Sequence, residues 1–328
     1  MRIAILGASH WHVGIYYLPA LQSLPVEIVG LADPDPAACA QHDPEGRWPH
    51  YTDWQQLLDD QRPDLVFAHA PHSEMTALAA GLVARGQAFH IEKPAGIDAR
   101  ALQPVVEAAE AGGVFNSVAL VTRYVAGAEK LAGLRADGEL GQPLHYYFRL
   151  FAGTPQRYRD WGVDWMLDPA RAGAGPLMNF GPHGVDLFLL FTGEPVARVS
   201  CWTTHNLFHE EIEDLASIRL EGAGGTLGTV EVGYALPGAY ERYFSLTTDR
   251  LHVGGILDAG QIIRRDGEPL PYSGLTADQA YHAYTADIVT RYAEGRPARI
   301  TLADMLPVLR VVNLAQESLS SGGAWVEA

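Results

Sequence analysis

Cysteine is nearly absent from this 328-residue chain: only Cys39 and Cys201 occur, far apart and without metal-ligand spacing. That excludes a disulfide framework and offers no metal site, leaving two reduced thiols. Basic residues are also scarce, with 23 Lys and Arg against 39 Asp and Glu and a formal charge of -16. No Lys/Arg cluster is present to neutralise a phosphate backbone or an anionic bilayer, so neither nucleic acid nor membrane is expected as a partner. No apolar run approaches a membrane span. The N-terminus has one basic residue and an apolar run broken by Gly7 and histidines, which is not the pattern of a secretory signal. The chain therefore reads as soluble and cytoplasmic, with no internal repeat and no low-complexity segment.

What is present is an ordinary globular balance, 48% hydrophobic and 19% charged, in a chain long enough for two domains. The first third alternates short apolar runs with helical patterns, the signature of βαβ units around a parallel sheet. Arg2–Leu6, Glu27–Ala32, Leu65–Ala68 and 88–91 read as strands, and Trp54–Gln61 and 75–84 as helices. Asp98 caps a further helix reaching Gly112. Beyond residue 120 the runs lengthen and alternate ("PLHYYFRLF", "GTLGTVEVGYAL"), divided by Gly/Pro turns, which predicts a mainly antiparallel sheet. Two helices close the chain, 277–294 and Leu302–Ser320, with Thr301 as the N-cap candidate of the second.

The opening stretch, "MRIAILGASHWHVGIYY", runs an apolar strand into a glycine turn of the dinucleotide-binding type. Such a turn uses three glycines: for the bend, for close approach to a pyrophosphate, and for helix–strand packing. Gly7 fills the first role. Ser9 stands in the second place, where its hydroxyl can donate to a phosphate, and His12 in the third, where a ring should push helix and strand apart. Asp33, at the end of the second strand in "VGLADPDP", is placed to accept from the adenosine ribose hydroxyls and would repel a 2'-phosphate, favouring NAD over NADP. An Asp ahead of Pro34 is equally suited to a turn. His10 and His12 read as space-filling rings with local hydrogen bonds, and no metal is expected there.

At the end of the fourth strand, "AFHIEKPAG" puts Glu92, Lys93 and Pro94 where open α/β sheets hold their ligands. A lysine there can polarise a carbonyl or alkoxide oxygen; the alternative is a surface Glu–Lys pair. Together with "PDLVFAHAPHSEMTALAAGLVARGQAFHIEKP", the segments "WMLDPARAGAGPLMNFGPHGVDLFLLFTG" and "TRYVAGAEKLAGLRADGELGQP" resemble the glucose-fructose oxidoreductase / inositol dehydrogenase / rhizopine catabolism (Gfo/Idh/MocA) family over most of the chain.

The resemblance implies an α/β protein with an N-terminal Rossmann dinucleotide-binding domain (1–120). A C-terminal α+β domain with an open, mainly antiparallel sheet (121–328) would serve substrate binding and oligomerisation as a homodimer or homotetramer. It implies an NAD-dependent dehydrogenase acting on a hydroxyl carbon of a sugar, polyol or related small molecule. Lys93 would lie near the reacting carbon, and His183, assisted by Asn179, would take the hydroxyl proton. Gly7, Ser9, His10, Trp11, Asp33, Pro71, His72, Glu92 and Lys93 would contact the cofactor; Arg123, Trp165 and His183 would contact the substrate.

Several positions depart from the family pattern. The acid four residues before the histidine is Asn179, which can orient a neighbour but cannot supply charge. Asp186, three residues after His183, is a candidate to compensate. The usual threonine-proline-asparagine reads Ala70, Pro71, His72, and the histidine expected three residues later is Met75. Two outcomes fit: a divergent dehydrogenase whose His10, His12, His69 and His72 reshape the cofactor site, or a weakly active or inactive sensor or regulatory protein that binds dinucleotide or sugar.

Overall fold

The computed structural model describes residues 1–264 and 267–328. The chain forms two compact units. The first takes 1–119 and, unanticipated from sequence, also 158–166 and 281–306; the second takes 120–157, 167–280 and 307–328.

In the first unit, β1 (Arg2–Leu6), β2 (Glu27–Ala32), β3 (His50–Tyr51), β4 (Leu65–Ala68), β5 (Phe89–Ile91) and β6 (Asn116–Val118) make a six-stranded sheet. Its order is β3-β2-β1-β4-β5-β6 and every pairing is parallel. This is the doubly wound order, with its switch point between β1 and β4. Strands β4 and β5 are buried along their whole length, which explains why they read as unbroken apolar runs. The short edge strands β3 and β6 are polar and gave no such signal.

The connections are helical: α1 (Leu18–Gln22), α2 (Pro36–His42), α3 (Trp54–Gln61), α4 (His72–Ala84) and α5 (Ala99–Ala111). Asp35, Asp53 and Asp98 each cap one of them by accepting from the amide two residues on. Helix α4 begins three residues before the sequence pattern does, directly after Pro71.

In the second unit, α6 (Ala126–Ala136) precedes β7 (Pro143–Gly153); after α7 (Gln156–Asp160), which runs from the second unit into the first, come α8 (Pro169–Ala172), α9 (Pro176–Asn179) and α10 (Gly181–Thr192). Then come β8 (Val196–Thr204), β9 (Leu215–Gly222), β10 (Leu227–Gly233), β11 (Leu236–Thr248), β12 (Leu251–Ile256), β13 (Ala259–Arg264) and β14 (Leu270–Ser273). Helix α11 (Ala277–Ala293), most of it in the first unit, helix α12 (Leu302–Ser320), which begins there, and strand β15 (Val326–Glu327) end the chain. The sheet has nine strands, ordered β14-β13-β12-β11-β7-β10-β9-β8-β15. Only β7 and β10 pair in parallel.

One face of β7 is buried through Tyr146, Phe148, Leu150 and Ala152. Helix α10 lies close against it at Gly184, where a Cβ would meet Phe148 and Val230 at 2.6 Å, and Tyr146 donates to the Gly184 carbonyl at 2.9 Å. At the start of α12, Thr301 holds the expected position, its carbonyl accepting from the Asp304 and Met305 amides at 3.0 and 3.4 Å. Its N–H and hydroxyl both donate to the Asp304 carboxylate, at 2.8 and 3.2 Å. Among the described residues no helix is long and apolar enough to cross a membrane.

Candidate active site

Strand β1 ends at Leu6, and the chain turns at once through Gly7, whose φ is +74°. Its N–H donates to the Ala32 carbonyl at 2.8 Å, and a Cβ would fall 2.0 Å from the His69 carbonyl oxygen. Only glycine fits, on both conformation and space. Ser9 stands exposed on the turn while its N–H donates to Asp33 Oδ2 at 2.8 Å. The other Asp33 oxygen accepts from Asp35 N at 2.9 Å. Of the two uses foreseen for Asp33, the turn ahead of Pro34 is the one formed here, and each oxygen of the buried carboxylate keeps acceptor capacity for a further donor.

The helix after His12 opens with a wide π turn, Val13–Tyr17. Gly14 lies against the end of α2, where a Cβ would meet His42 Cε1 at 2.6 Å. His12 turns inward, and its Nδ1–H donates to Glu92 Oε1 at 2.8 Å. The Tyr17 hydroxyl donates to the same oxygen at 2.7 Å, and the Lys93 amide to Oε2 at 3.0 Å.

Glu92 is fully buried and Lys93 nearly so, which rules out the surface-pair alternative. Burial pushes the Glu92 pKa up, but His12, His10 and Lys93 outweigh it and hold the carboxyl well below its usual range. Burial drives the surrounding rings the other way. His10 lies well below the usual imidazole value through burial and then the nearby His12 and His69. Burial lowers His69 to about 4 and His90 to about 3. No group of three or more His, Cys, Asp or Glu arranged to hold a metal occurs among the described residues.

Lys93 leaves β5 through a cis bond to Pro94, and the turn continues with Ala95 at φ +61°. Thr76 on α4 fixes it by donating to the Ala95 carbonyl at 3.0 Å. Pro71 precedes α4, and His72 is buried within 5.1 Å of the Trp165 ring, centroid to centroid. Trp165 also lies 6.2 Å from His10 and 6.0 Å from Trp11. It was expected in the second domain, yet it belongs to the first unit with the cofactor-loop candidates.

In the second unit, Asn179 ends α9, buried, with its side-chain amide donating to the Tyr234 hydroxyl at 3.1 Å. His183 follows in the first turn of α10, half-buried. Arg123 donates from Nε to both Asp186 oxygens, at 3.0 and 3.1 Å, and from Nη2 to Oδ1 at 2.6 Å. This fork uses Asp186 as a structural anchor. The fork commits Arg123 Nε and Nη2 to Asp186.

Glu213 was not singled out by sequence. It lies in "HEEIED", which reads as a solvated acidic run, yet it is buried, accepting from Gly175 N at 2.9 Å and Leu177 N at 2.8 Å. Burial raises its pKa and the two amides oppose that rise. Tyr17 and Tyr234 were missed too, because each acts only through a tertiary contact.

Residues 1–120 match the family described as "Oxidoreductase family, NAD-binding Rossmann fold", and residues 129–255 the "GFO/IDH/MocA C-terminal domain". The rhizopine catabolism protein MocA of Rhizobium meliloti is 23% identical over 323 residues, 97% of this chain and 95% of that protein. Trans-1,2-dihydrobenzene-1,2-diol dehydrogenase of Oryctolagus cuniculus is 26% identical over 180 residues, 55% of this chain and 52% of the enzyme. The match thus spans about half the length of that relative. Among solved structures, an inositol dehydrogenase homologue from Azotobacter vinelandii, complexed with NAD+, superposes with a TM-score of 0.86 at 17% identity, covering 100% of this chain and 97% of the other.

Proposed function

From the premise that the chain belongs to the Gfo/Idh/MocA oxidoreductase family, we propose that it is an NAD-dependent dehydrogenase acting on a hydroxyl carbon of a sugar, polyol or related small molecule. The observation that carries this reading is the buried Glu92–Lys93 step at the carboxyl end of β5, tied by Glu92 to the turn after β1. A lysine held in a site of low polarity acts strongly on an oxygen that gains charge.

The residues present fit the cofactor. Gly7 gives the bend, the exposed Ser9 hydroxyl and the loop residues His10 and Trp11 would contact the pyrophosphate, and Asp33 would accept from the ribose hydroxyls. Pro71, His72, Glu92 and Lys93 would line the nicotinamide end. NAD+, when bound, supplies the hydride acceptor. His183 takes the hydroxyl proton as the carbon loses hydride and becomes a carbonyl, and Lys93 stabilises the oxygen between the two states. Asn179 orients the histidine without charging it, while Trp165 and Arg123 serve the substrate. The open face of the second-unit sheet, with Leu227 and Tyr243 exposed, supports pairing with a second copy, as a homodimer or homotetramer.

Fluorescence titration with NADH and NADPH, followed by a polyol turnover screen, tests the proposal. NADH should bind with NADPH disfavoured, and Lys93→Ala should lose turnover by about 100-fold or more while keeping the fold. If neither nucleotide binds, the sensor reading replaces the enzyme.

A further inference from the structure

Arg157 stands in the first turn of α7, a few residues past the end of β7, and two features of the second unit hold its guanidinium in place. Gly153, at the end of β7 with φ +54°, makes room for the side chain to lie back over the strand end. A Cβ there would fall 2.5 Å from Arg157 Nη1 and 2.9 Å from Cδ. Past that gap the guanidinium carbon lies 5.5 Å from the centroid of the Phe180 ring and 5.3 Å from that of Tyr234. These two rings are buried and meet edge-on, 5.3 Å apart at 80°. Both belong to the candidate site. The Tyr234 hydroxyl accepts from the Asn179 amide at 3.1 Å, and the Phe180 carbonyl accepts from His183 N–H at 3.0 Å. A half-buried cation thus stands one ring away from Asn179 and His183.

We propose that Arg157 sets substrate specificity by charge, receiving a carboxylate, so that the molecule oxidised is a hydroxy acid of the sugar-acid type and not a neutral polyol. The inference rests on the dehydrogenase reading above and narrows its substrate. Stacking engages the flat faces of a guanidinium, whereas its N–H donors lie along its edge in a planar fork that matches a carboxylate. Holding a cation away from bulk water costs free energy, and a neutral polyol brings no charge to offset it. A substrate carboxylate does, and a bidentate pair fixes direction as well as distance. Anchoring one end of the molecule in this way selects which of several similar hydroxyls meets His183. The carboxylate itself stays ionised and unchanged: the carbinol C–H bond gives its hydride to NAD+, and the hydroxyl proton goes to His183.

Isothermal titration calorimetry on the full chain, with and without NADH, tests the proposal using acids and their neutral partners of the same carbon skeleton. The pairs are D-gluconate with D-sorbitol and D-glucuronate with D-glucose. At least one acid should bind about tenfold more tightly than its partner. Arg157→Met, which keeps an apolar stem against the rings, should weaken that acid about tenfold and bring the pair level. Arg157→Lys, which keeps the charge without the fork, should retain part of the preference. Equal binding within both pairs, binding of neither acid, or an acid preference that survives in Arg157→Met would each overturn the assignment. A melting temperature lowered in Arg157→Met with the preference intact would make Arg157 a brace for Phe180 and Tyr234 alone. Acid binding that follows these variants without any reduction of NAD+ keeps the anion site and removes the dehydrogenase reading instead.

Discussion

Asn179 is where the chemistry of this protein is most open to change by a single atom. It is buried, and its amide donates to Tyr234. In Asn179→Asp that hydroxyl can reverse and donate to the new carboxylate, so the substitution leaves no polar group stranded. A negative charge four residues before His183 favours the imidazolium, raising the pKa of the base. Because the base must be neutral to accept a proton, the acid limb of kcat/KM should move to higher pH and the plateau rate should rise, by about tenfold. A pH–rate profile checks this, and an unmoved acid limb would show that position 179 does not reach His183. At this scale the sequence disclosed the bend at Gly7, the turn at Asp33 and the place of Lys93 at a strand end, all of which follow from local sequence. It could not disclose Glu213 or Tyr17, whose roles depend on what folds against them.

Among the elements, the short helix α9 depends on a residue far from it in sequence. Glu213 accepts from both Gly175 and Leu177 amides, fixing the approach to Asn179. Glu213→Gln keeps the shape but turns one acceptor into a donor facing an N–H. Stability should fall by about 2 kcal/mol and kcat should fall more than KM rises; thermal unfolding and steady-state kinetics together check it. Normal kinetics in a destabilised variant would make Glu213 purely structural. The buried parallel strands were legible because their apolar runs are continuous. The two-residue β3 has no run to read, and α4 begins at His72, before the apolar period does. Periodicity is a local signal, so it could not show that 158–166 and 281–306 rejoin the first unit.

For the molecule as a whole, the buried imidazoles make stability depend on acid. His69 and His90 are depressed to about 4 and about 3 by burial, against roughly 6.5 in an unfolded chain. Their contribution is complete above the unfolded value and erodes as pH falls below it, because the unfolded chain then binds protons that the folded one refuses. Glu92, also depressed, contributes above its unfolded value and is lost as pH falls through its lower folded one, so it adds to the same trend. By pH 5 each ring should cost roughly 2 kcal/mol. Urea midpoints should be level above pH 7 and drop between pH 6.5 and 4; a level midpoint down to pH 5 would contradict neutral, buried rings. The knot at Glu92 also bears on inheritance. A glycine at position 12, which a turn of this type ordinarily carries, would remove a donor from a fully buried carboxylate at a cost of about 3 kcal/mol. Reversion to glycine is thus barred until Glu92 itself changes, and Glu92 also anchors the amide of Lys93. A lineage carrying His12 is held to it by the residue next to its lysine.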